Sequence, residues 1–224
     1  MFDFKGKNIL VTGGSGGIGK SIVNLFSQYK GKVISINSNH ADFSKNDDIY
    51  QMLNNLPEID ICVNCAGINK INSLGNIQEK DFDKIMQVNV KAPFLISQYV
   101  SKFMKKRGKG KIVNIASIWG DKTIEERLCY TTSKSALIGM TKTLAVELAK
   151  DNIQVNTVSP GFTDTKLTRT ILSDNQIKKL LSKVPMNRMA NPYEIANIVV
   201  FLCSELNTYI TGQNIIIDGG FSIT

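Results

Sequence analysis

Tyr130-Thr131-Thr132-Ser133-Lys134 has the most direct chemical reading of any stretch in this chain. It opens a run of helical periodicity, and a spacing of four brings Tyr130 and Lys134 to one helix face. A free phenol titrates near ~10 and is a poor base at neutral pH, whereas an ammonium within a few ångströms favours the phenolate and lowers that value. Such a tyrosine can give a proton to, or take one from, a carbonyl or alcohol oxygen. A second pattern, Thr12-Gly13-Gly14-Ser15-Gly16-Gly17-Ile18-Gly19, follows a β-branched run and precedes a helical one. Glycines there let the backbone approach a pyrophosphate, and the helix start supplies free N–H groups and partial positive charge. The first pattern predicts proton transfer, the second a dinucleotide cradle.

In such a unit the residue that reads the cofactor ribose lies ~20 residues beyond the glycines, at the end of the second strand. Asn37 and Ser38 stand there. An Asp would favour NAD and an Arg NADP, but these two side chains can hydrogen-bond either, so the cofactor reads as NAD(P) with the preference open. His40, the single histidine, reads as a solvent-exposed loop residue. Cys62-Val63-Asn64-Cys65 spells C-x-x-C, but with only Cys129, Cys203 and one His besides, the ligands are too few for structural zinc. Cys62 also lies in an apolar run that reads as a strand, so buried free thiols in a reducing compartment are expected, and no metal.

The elements that must position these residues alternate β-branched runs with longer helical periods, which points to a parallel α/β sheet. Strands are predicted at Lys7–Thr12, Lys32–Asn37, Ile59–Asn64, Lys111–Ala116, Gln154–Val158 and Asn214–Ile217, with helices near 17–29, 45–55, 79–107, 130–150 and 192–204. Leu167, Ile171, Leu172, Ile177, Leu180 and Leu181 recur at helical spacings and suggest a helical pair with one apolar face. Only residues 38–58 separate the second and third runs, too few for a strand and its crossover helices. One strand–helix unit is therefore expected to be missing. The 224 residues suit one domain, 1–224, with a substrate lid at about 162–186. No apolar run reaches the ~20 residues that span a bilayer, and the start lacks a signal-peptide layout, so a cytoplasmic protein without membrane contact is expected. The net charge is +8, yet six of the ten positions 102–111 are basic and follow a helix end, which reads as a solvated turn rather than a nucleic-acid surface.

Taken in order, the glycine turn at 12–19, Asn64-Cys65-Ala66-Gly67, Asn89 in Val88-Asn89-Val90, Ser117, Tyr130 with Lys134, Ser159-Pro160-Gly161 through Thr165, and Ile217-Asp218-Gly219-Gly220 resemble the short-chain dehydrogenase/reductase family. The resemblance runs from about residue 5 to 222 and, in its C-terminal half, is similar to 3-oxoacyl-acyl-carrier-protein reductases. It implies a single Rossmann-type doubly wound parallel sheet, here lacking the third strand and its preceding helix, in the order 2-1-4-5-6-7 in the family's strand labels. It also implies site roles. Tyr130 would be the general acid/base, Ser117 the donor that orients the substrate oxygen, Lys134 the group that holds the nicotinamide ribose and lowers the Tyr pKa, and Asn89 the residue whose helix distortion holds a relay water. Gly13, Ser15, Gly17, Ile18 and Gly19 match the pyrophosphate turn, Asp42 with Phe43 the adenine-reading segment, and Asn64, Ala66 and Gly67 the adenine-ribose wall. Pro160, Gly161, Thr163 and Thr165 match the loop at the nicotinamide carboxamide. Where the family usually has Asn, this chain has Cys65, which removes one side-chain hydrogen bond near the cofactor.

The reaction implied is NAD(P)-dependent hydride transfer to a carbonyl or from a secondary alcohol. The variable walls of such a site are the 162–186 segment and Ile118 to Cys129, whose charge hints at a polar sugar or polyol derivative; Trp119 there reads as a ring cover or as packing. A 3-oxoacyl thioester is the second option, for which the positive charge would help dock an acidic acyl carrier protein. A cofactor-sensing regulator without turnover is the rival class, but it has no need of Tyr130, Lys134 and Ser117 together. The family resemblance further implies a homo-oligomer, tetramer or dimer, paired through helices 79–107 and 130–150 and burying Phe94, Leu95 and Leu144.

Overall fold

The structure, a computed structural model, describes residues 2–171 and 174–224. Six strands, β1 (Asn8–Thr12), β2 (Lys32–Ile36), β3 (Ile61–Asn64), β4 (Gly110–Ile115), β5 (Ile153–Pro160) and β6 (Asn214–Ile217), form one sheet in the order β2-β1-β3-β4-β5-β6. Every pairing is parallel. Between β2 and β3 the chain makes a turn and one helix, α2 (Asn46–Asn54), and no strand. The expected missing unit is thus absent, and β2 is the sheet edge.

Alternation along each strand sends successive side chains to opposite faces. On one face Ile9 and Val11, Ile61 and Val63, and Val113 and Ile115 pack against α1 (Gly17–Gln28) and α8 (Pro192–Cys203). On the other, Leu10, Cys62 and Ile112 pack against α2, α4 (Ala92–Arg107) and α5 (Leu128–Leu148). α8 begins with a capping box, in which Asn191 and Glu194 satisfy each other's backbone N–H groups beside Pro192. The long helix expected over 79–107 is interrupted. α3 (Glu79–Met86) passes through a π turn at Gln87–Lys91 before α4 resumes. α4 ends at Gly108, whose φ of 61° lets the chain turn off in the left-handed region.

The basic stretch departs from the expectation of a solvated turn at one end. Lys111 is buried within β4 and donates to the Asn207 carbonyl. Of the apolar residues expected between copies, Leu95 already belongs to the core, Leu144 packs at its margin, and Phe94 is exposed. The segment after β5 carries two short helices, α6 (Lys166–Ile171) and α7 (Asp174–Leu181). In α7, Ile177, Leu180 and Leu181 are half-buried while Lys178 and Lys179 are exposed, which gives α7 one apolar face, and the side chains of Leu167 and Ile171 lie outside what the structure describes. Leu172 lies outside the described residues. No helix among the described residues is long and apolar enough to cross a membrane.

Candidate active site

In an open parallel sheet, ligands settle outside the carboxyl ends of the strands where the strand order reverses. Here that point lies between β1 and β3. Gly13 follows β1 at φ 69°, and a Cβ on it would sit 2.8 Å from the backbone of Ala66, so the β1 and β3 exits touch. A Cβ on Gly19 would lie 2.2 Å from the Gly13 carbonyl oxygen, so the start of α1 closes on the same turn. α1 has no side-chain cap and no acidic residue in its first turn, and Ser15, Gly16 and Gly17 are exposed. Uncapped N–H groups at an exposed glycine cradle fit an anionic pyrophosphate.

After β2 the chain makes a turn. Asn37 accepts from the Asn39 N–H at 3.0 Å and contacts His40 Nδ1 at 3.1 Å, while Ser38 and His40 are exposed. Asp42 Oδ1 accepts from the Ser44 hydroxyl and N–H at 2.7 and 2.9 Å, and these bonds hold its carboxyl below its ordinary value. The Phe43 side chain is core, so that residue can meet a ligand only through its backbone.

Asn64 also differs from a simple wall residue. Thr12, Asn64, Asn114, Thr157 and Asn214 stand side by side in register across five strands. Asn64 Nδ2 donates to Asn114 Oδ1 at 2.8 Å, and Asn114 Nδ2 donates to Thr141 Oγ1 at 2.8 Å. Thr141, on α5, also accepts from Thr157 and donates to the Leu137 carbonyl, which uses a hydroxyl's one donor and two acceptor sites in full. Thr12 Oγ1 accepts from the N–H groups of Cys65 and Ala66. A buried polar ladder therefore ties β3, β4 and β5 to α5, and the Asn64 side chain belongs to it, which leaves its backbone to face the cleft. Its signal in the sequence is a polar residue at the end of β1 and β3, within β4 and β5, and at the start of β6.

Ser117, Tyr130, Lys134 and Asn89 converge where β4 and α5 meet. Ser117 is 7% exposed; its Oγ accepts from the Trp119 N–H at 3.2 Å, which leaves its hydrogen free to donate. Its side chain also favours the ionised form of the Tyr130 phenol. Lys134 is 4% exposed, with Nζ 2.8 Å from the Ile115 carbonyl and 5.5 Å from the Tyr130 ring centroid. Burial dominates both groups. It pushes the phenol of Tyr130 above its usual value, against smaller lowering by Ser117 and Arg127, and brings Lys134 down to about 8. Desolvation outweighs the lowering by Ser117 and Arg127, so the phenol stands above its ordinary value.

Asn89, at the middle of the π turn, accepts from Ile68 N–H at 2.8 Å and donates to the Ile68 carbonyl and to Ser133 Oγ. It clamps the segment after β3 onto α5. A Cβ on Gly67 would come to 3.4 Å from both Asn89 Oδ1 and Lys134 Nζ. Cys65, half-buried, couples electrostatically to Lys134 and Tyr130, and burial pushes its thiol up to about 11. The other three cysteines are buried and free.

The remaining wall comes from the far side of β5. Pro160 ends β5 beside Ile217 of β6, and the Gly161 N–H donates to the Ile217 carbonyl at 2.8 Å. Thr163 Oγ1 turns back to the Gly161 carbonyl, whereas Thr165 lies against the cradle, its side chain 2.6 Å from where a Gly17 Cβ would be. Trp119 stacks edge-on with Phe162 and Phe221 at centroid distances of 6.1 and 6.0 Å, so its ring is packing. Two residues escaped the sequence reading as individuals. Asn69 Oδ1 and Arg127 Nε are buried with no hydrogen-bond partner, and Arg127 stands one turn before Tyr130.

The family model described as enoyl-(acyl carrier protein) reductase matches residues 5–222. A 3-oxoacyl-[acyl-carrier-protein] reductase of Thermotoga maritima is 36% identical over 244 residues, covering 98% of this chain and 99% of the relative. Among solved structures, a 4-hydroxyisoleucine dehydrogenase complexed with NADH superposes with a TM-score of 0.94 at 32% identity, over 97% of this chain and 99% of that one. A gluconate 5-dehydrogenase from Burkholderia cenocepacia shares the fold, with a TM-score of 0.92 at 24% identity over 100% and 98% of the two chains.

Proposed function

From the premise that this chain belongs to the short-chain dehydrogenase/reductase family of NAD(P)-dependent oxidoreductases, we propose that it interconverts a ketone and a secondary alcohol at the Ser117–Tyr130–Lys134 cluster. The observation that carries the reading is the joint placement of a buried ammonium 5.5 Å from the Tyr130 ring and of the Ser117 side chain, which favours the Tyr130 phenolate, beside the glycine cradle. The bound dinucleotide supplies or accepts the hydride. In the reductive direction Tyr130 gives its phenolic proton to the substrate oxygen, so that the C=O π bond gives way to one C–H and one O–H bond. Ser117 donates its free hydroxyl hydrogen to that oxygen and steadies the charge that develops there. Lys134 spends one of its three N–H donors on the Ile115 carbonyl and keeps two for the cofactor ribose. It also returns a proton toward Tyr130 and is itself resupplied by a water held at the distorted turn of Asn89, so the sum is ketone, reduced cofactor and one proton giving alcohol and oxidised cofactor.

In this reading Gly13, Ser15, Gly17, Ile18 and Gly19 hold the pyrophosphate, Asn37, Ser38, Asp42 and the Phe43 backbone the adenosine, and Asn64, Ala66 and Gly67 its ribose. Pro160, Gly161, Thr163 and Thr165 face the nicotinamide, and residues 162–186 close over the substrate as the lid of a single 1–224 domain. The Thermotoga relative is named for 3-oxoacyl carrier-protein thioesters and the superposed dehydrogenase for a hydroxy amino acid, so the panel must include both a thioester and polar hydroxylated ketones. Free thiols fit a reducing, cytoplasmic setting, and the exposed Phe94 and Val146 on α4 and α5 fit pairing with a second copy.

The test is titration with NADH and NADPH followed by initial rates on acetoacetyl thioesters and keto-sugars, for the protein and its Tyr130→Phe variant. Turnover falling about 1,000-fold with cofactor affinity retained is expected. Near-normal turnover in the variant removes Tyr130 as the acid/base, and cofactor binding with no turnover on any carbonyl favours the sensing regulator.

A further inference from the structure

Among the described residues, three buried polar side-chain atoms lack a hydrogen-bond partner: Asn69 Oδ1, Arg127 Nε and Asp151 Oδ2. Asp151 lies beyond the far end of α5, but the other two belong to segments that meet beside Tyr130. The Asn72 N–H donates to the Glu126 carbonyl at 3.3 Å, which joins the stretch after β3 to the turn before α5. Glu126 takes up the left-handed region at φ 65°, and the strain at a non-glycine residue delivers Arg127 to the first turn of α5, where its carbonyl accepts from the Thr131 N–H at 2.7 Å. Three residues further on is Tyr130, on the same face.

Arg127 is cationic, half-buried and without an ion pair, although the exposed Glu125 and Glu126 directly precede it. Tyr130 and Glu126 are the groups that act on it electrostatically, and neither supplies an acceptor to Nε. A buried donor without an acceptor is a standing cost that a ligand can offset. The acceptor that best fits a guanidinium is planar and anionic, able to take two parallel N–H bonds. Asn69 Oδ1 adds the converse, an acceptor in want of a hydroxyl or N–H donor.

We propose that Arg127 is a specificity-determining residue that binds a carboxylate on the substrate, making oxo acids and hydroxy acids the substrate class, with Asn69 accepting from a hydroxyl of the same molecule. The inference rests on the reading of Tyr130 as the acid/base and deepens it: the acid group is held one helical turn from the reacting oxygen.

The test compares matched pairs, 3-oxobutanoate against its methyl ester and 5-ketogluconate against fructose, in the protein and in Arg127→Gln and Arg127→Lys. At least one acid is expected to exceed its neutral partner about 30-fold in kcat/KM, the worth of a charge-assisted hydrogen bond. Arg127→Gln should bring that ratio close to one, and Arg127→Lys should restore part of it. A ratio near one in the unaltered protein, higher activity on an acetoacetyl thioester than on any acid, or a ratio that survives Arg127→Gln overturns the proposal, while turnover that still depends on Tyr130 leaves the oxidoreductase reading standing. Should no carbonyl turn over, the same acids are titrated into the NAD(P)H complex by cofactor fluorescence. Saturable binding that Arg127→Gln abolishes supports the carboxylate site on its own, and absence of binding overturns it.

Discussion

On the β1–β3 side of the cleft, Gly13, Gly17 and Gly19 sit so close to Ala66, Thr165 and one another that a single methyl group would strike the chain. On the α5 side, Asn69 and Arg127 keep buried polar atoms that touch no partner. The first wall is closed to side-chain variation because backbone makes it, and a dinucleotide is the same in every turnover. The second is left electrostatically incomplete, and whatever completes it decides which molecule reacts. In the proposed reading, recognition of the constant reactant is built into the path of the chain, whereas recognition of the variable one rests on a few unsatisfied groups.

The largest effect that would break this contrast concerns the closed wall. In Gly19→Ala the new methyl meets the Gly13 carbonyl at 2.2 Å, a side chain against backbone that cannot swing away, and overpacking of that kind costs about 3 kcal/mol, roughly 100-fold in cofactor affinity. Fluorescence titration with NADH and NADPH reads it, and unchanged affinity would mean the turn is softer than its contacts imply. Next comes a pair of asparagines. Asn114→Ala cuts the buried ladder between Asn64 and Thr141 and should destabilise the fold by about 2 kcal/mol in urea. Asn69→Ala removes an oxygen that has no partner and should change stability by less than about 0.5 kcal/mol. Equal losses in the two variants would erase the distinction between a satisfied and an unsatisfied polar wall.

The smallest effect is one of pH. Lys134, brought by burial to about 8, is charged below that pH and neutral above it, while Tyr130, pushed up, keeps its proton across the same interval. Carbonyl reduction should therefore decline above pH 8, by about tenfold per unit as the ammonium titrates. A pH–rate profile checks this, and Lys134→Arg should move the alkaline limb up by more than one pH unit. A limb that stays near 8 in that variant would assign it to another group.

The strands and the paired faces of the sheet were legible because β-branched runs and helical periods are local properties, and the short interval at 38–58 announced the absent unit by length alone. Tyr130 and Lys134 were legible because helix geometry makes a spacing of four meaningful. The direction of the Tyr130 shift was not, since it depends on how much water the fold removes around it, which no local spacing records. The turn of Asn64 into the ladder depends on which face of β3 meets α5. That Arg127 forms no ion pair among the described residues, although Glu125 and Glu126 adjoin it in sequence, is a property of side-chain placement that adjacency does not record.

A parallel sheet can add or lose a strand only at its margins, and β2 forms one such margin with both ends of the gap lying in a single surface turn. Nothing has to be re-threaded for a strand–helix unit to be inserted or deleted there. The cleft, framed by β1, β3, β4 and β5, does not depend on how many strands lie beyond β2. Chain length is therefore free to drift on that flank over evolutionary time while the reacting groups stay in register, and this chain stands at the short end of that freedom.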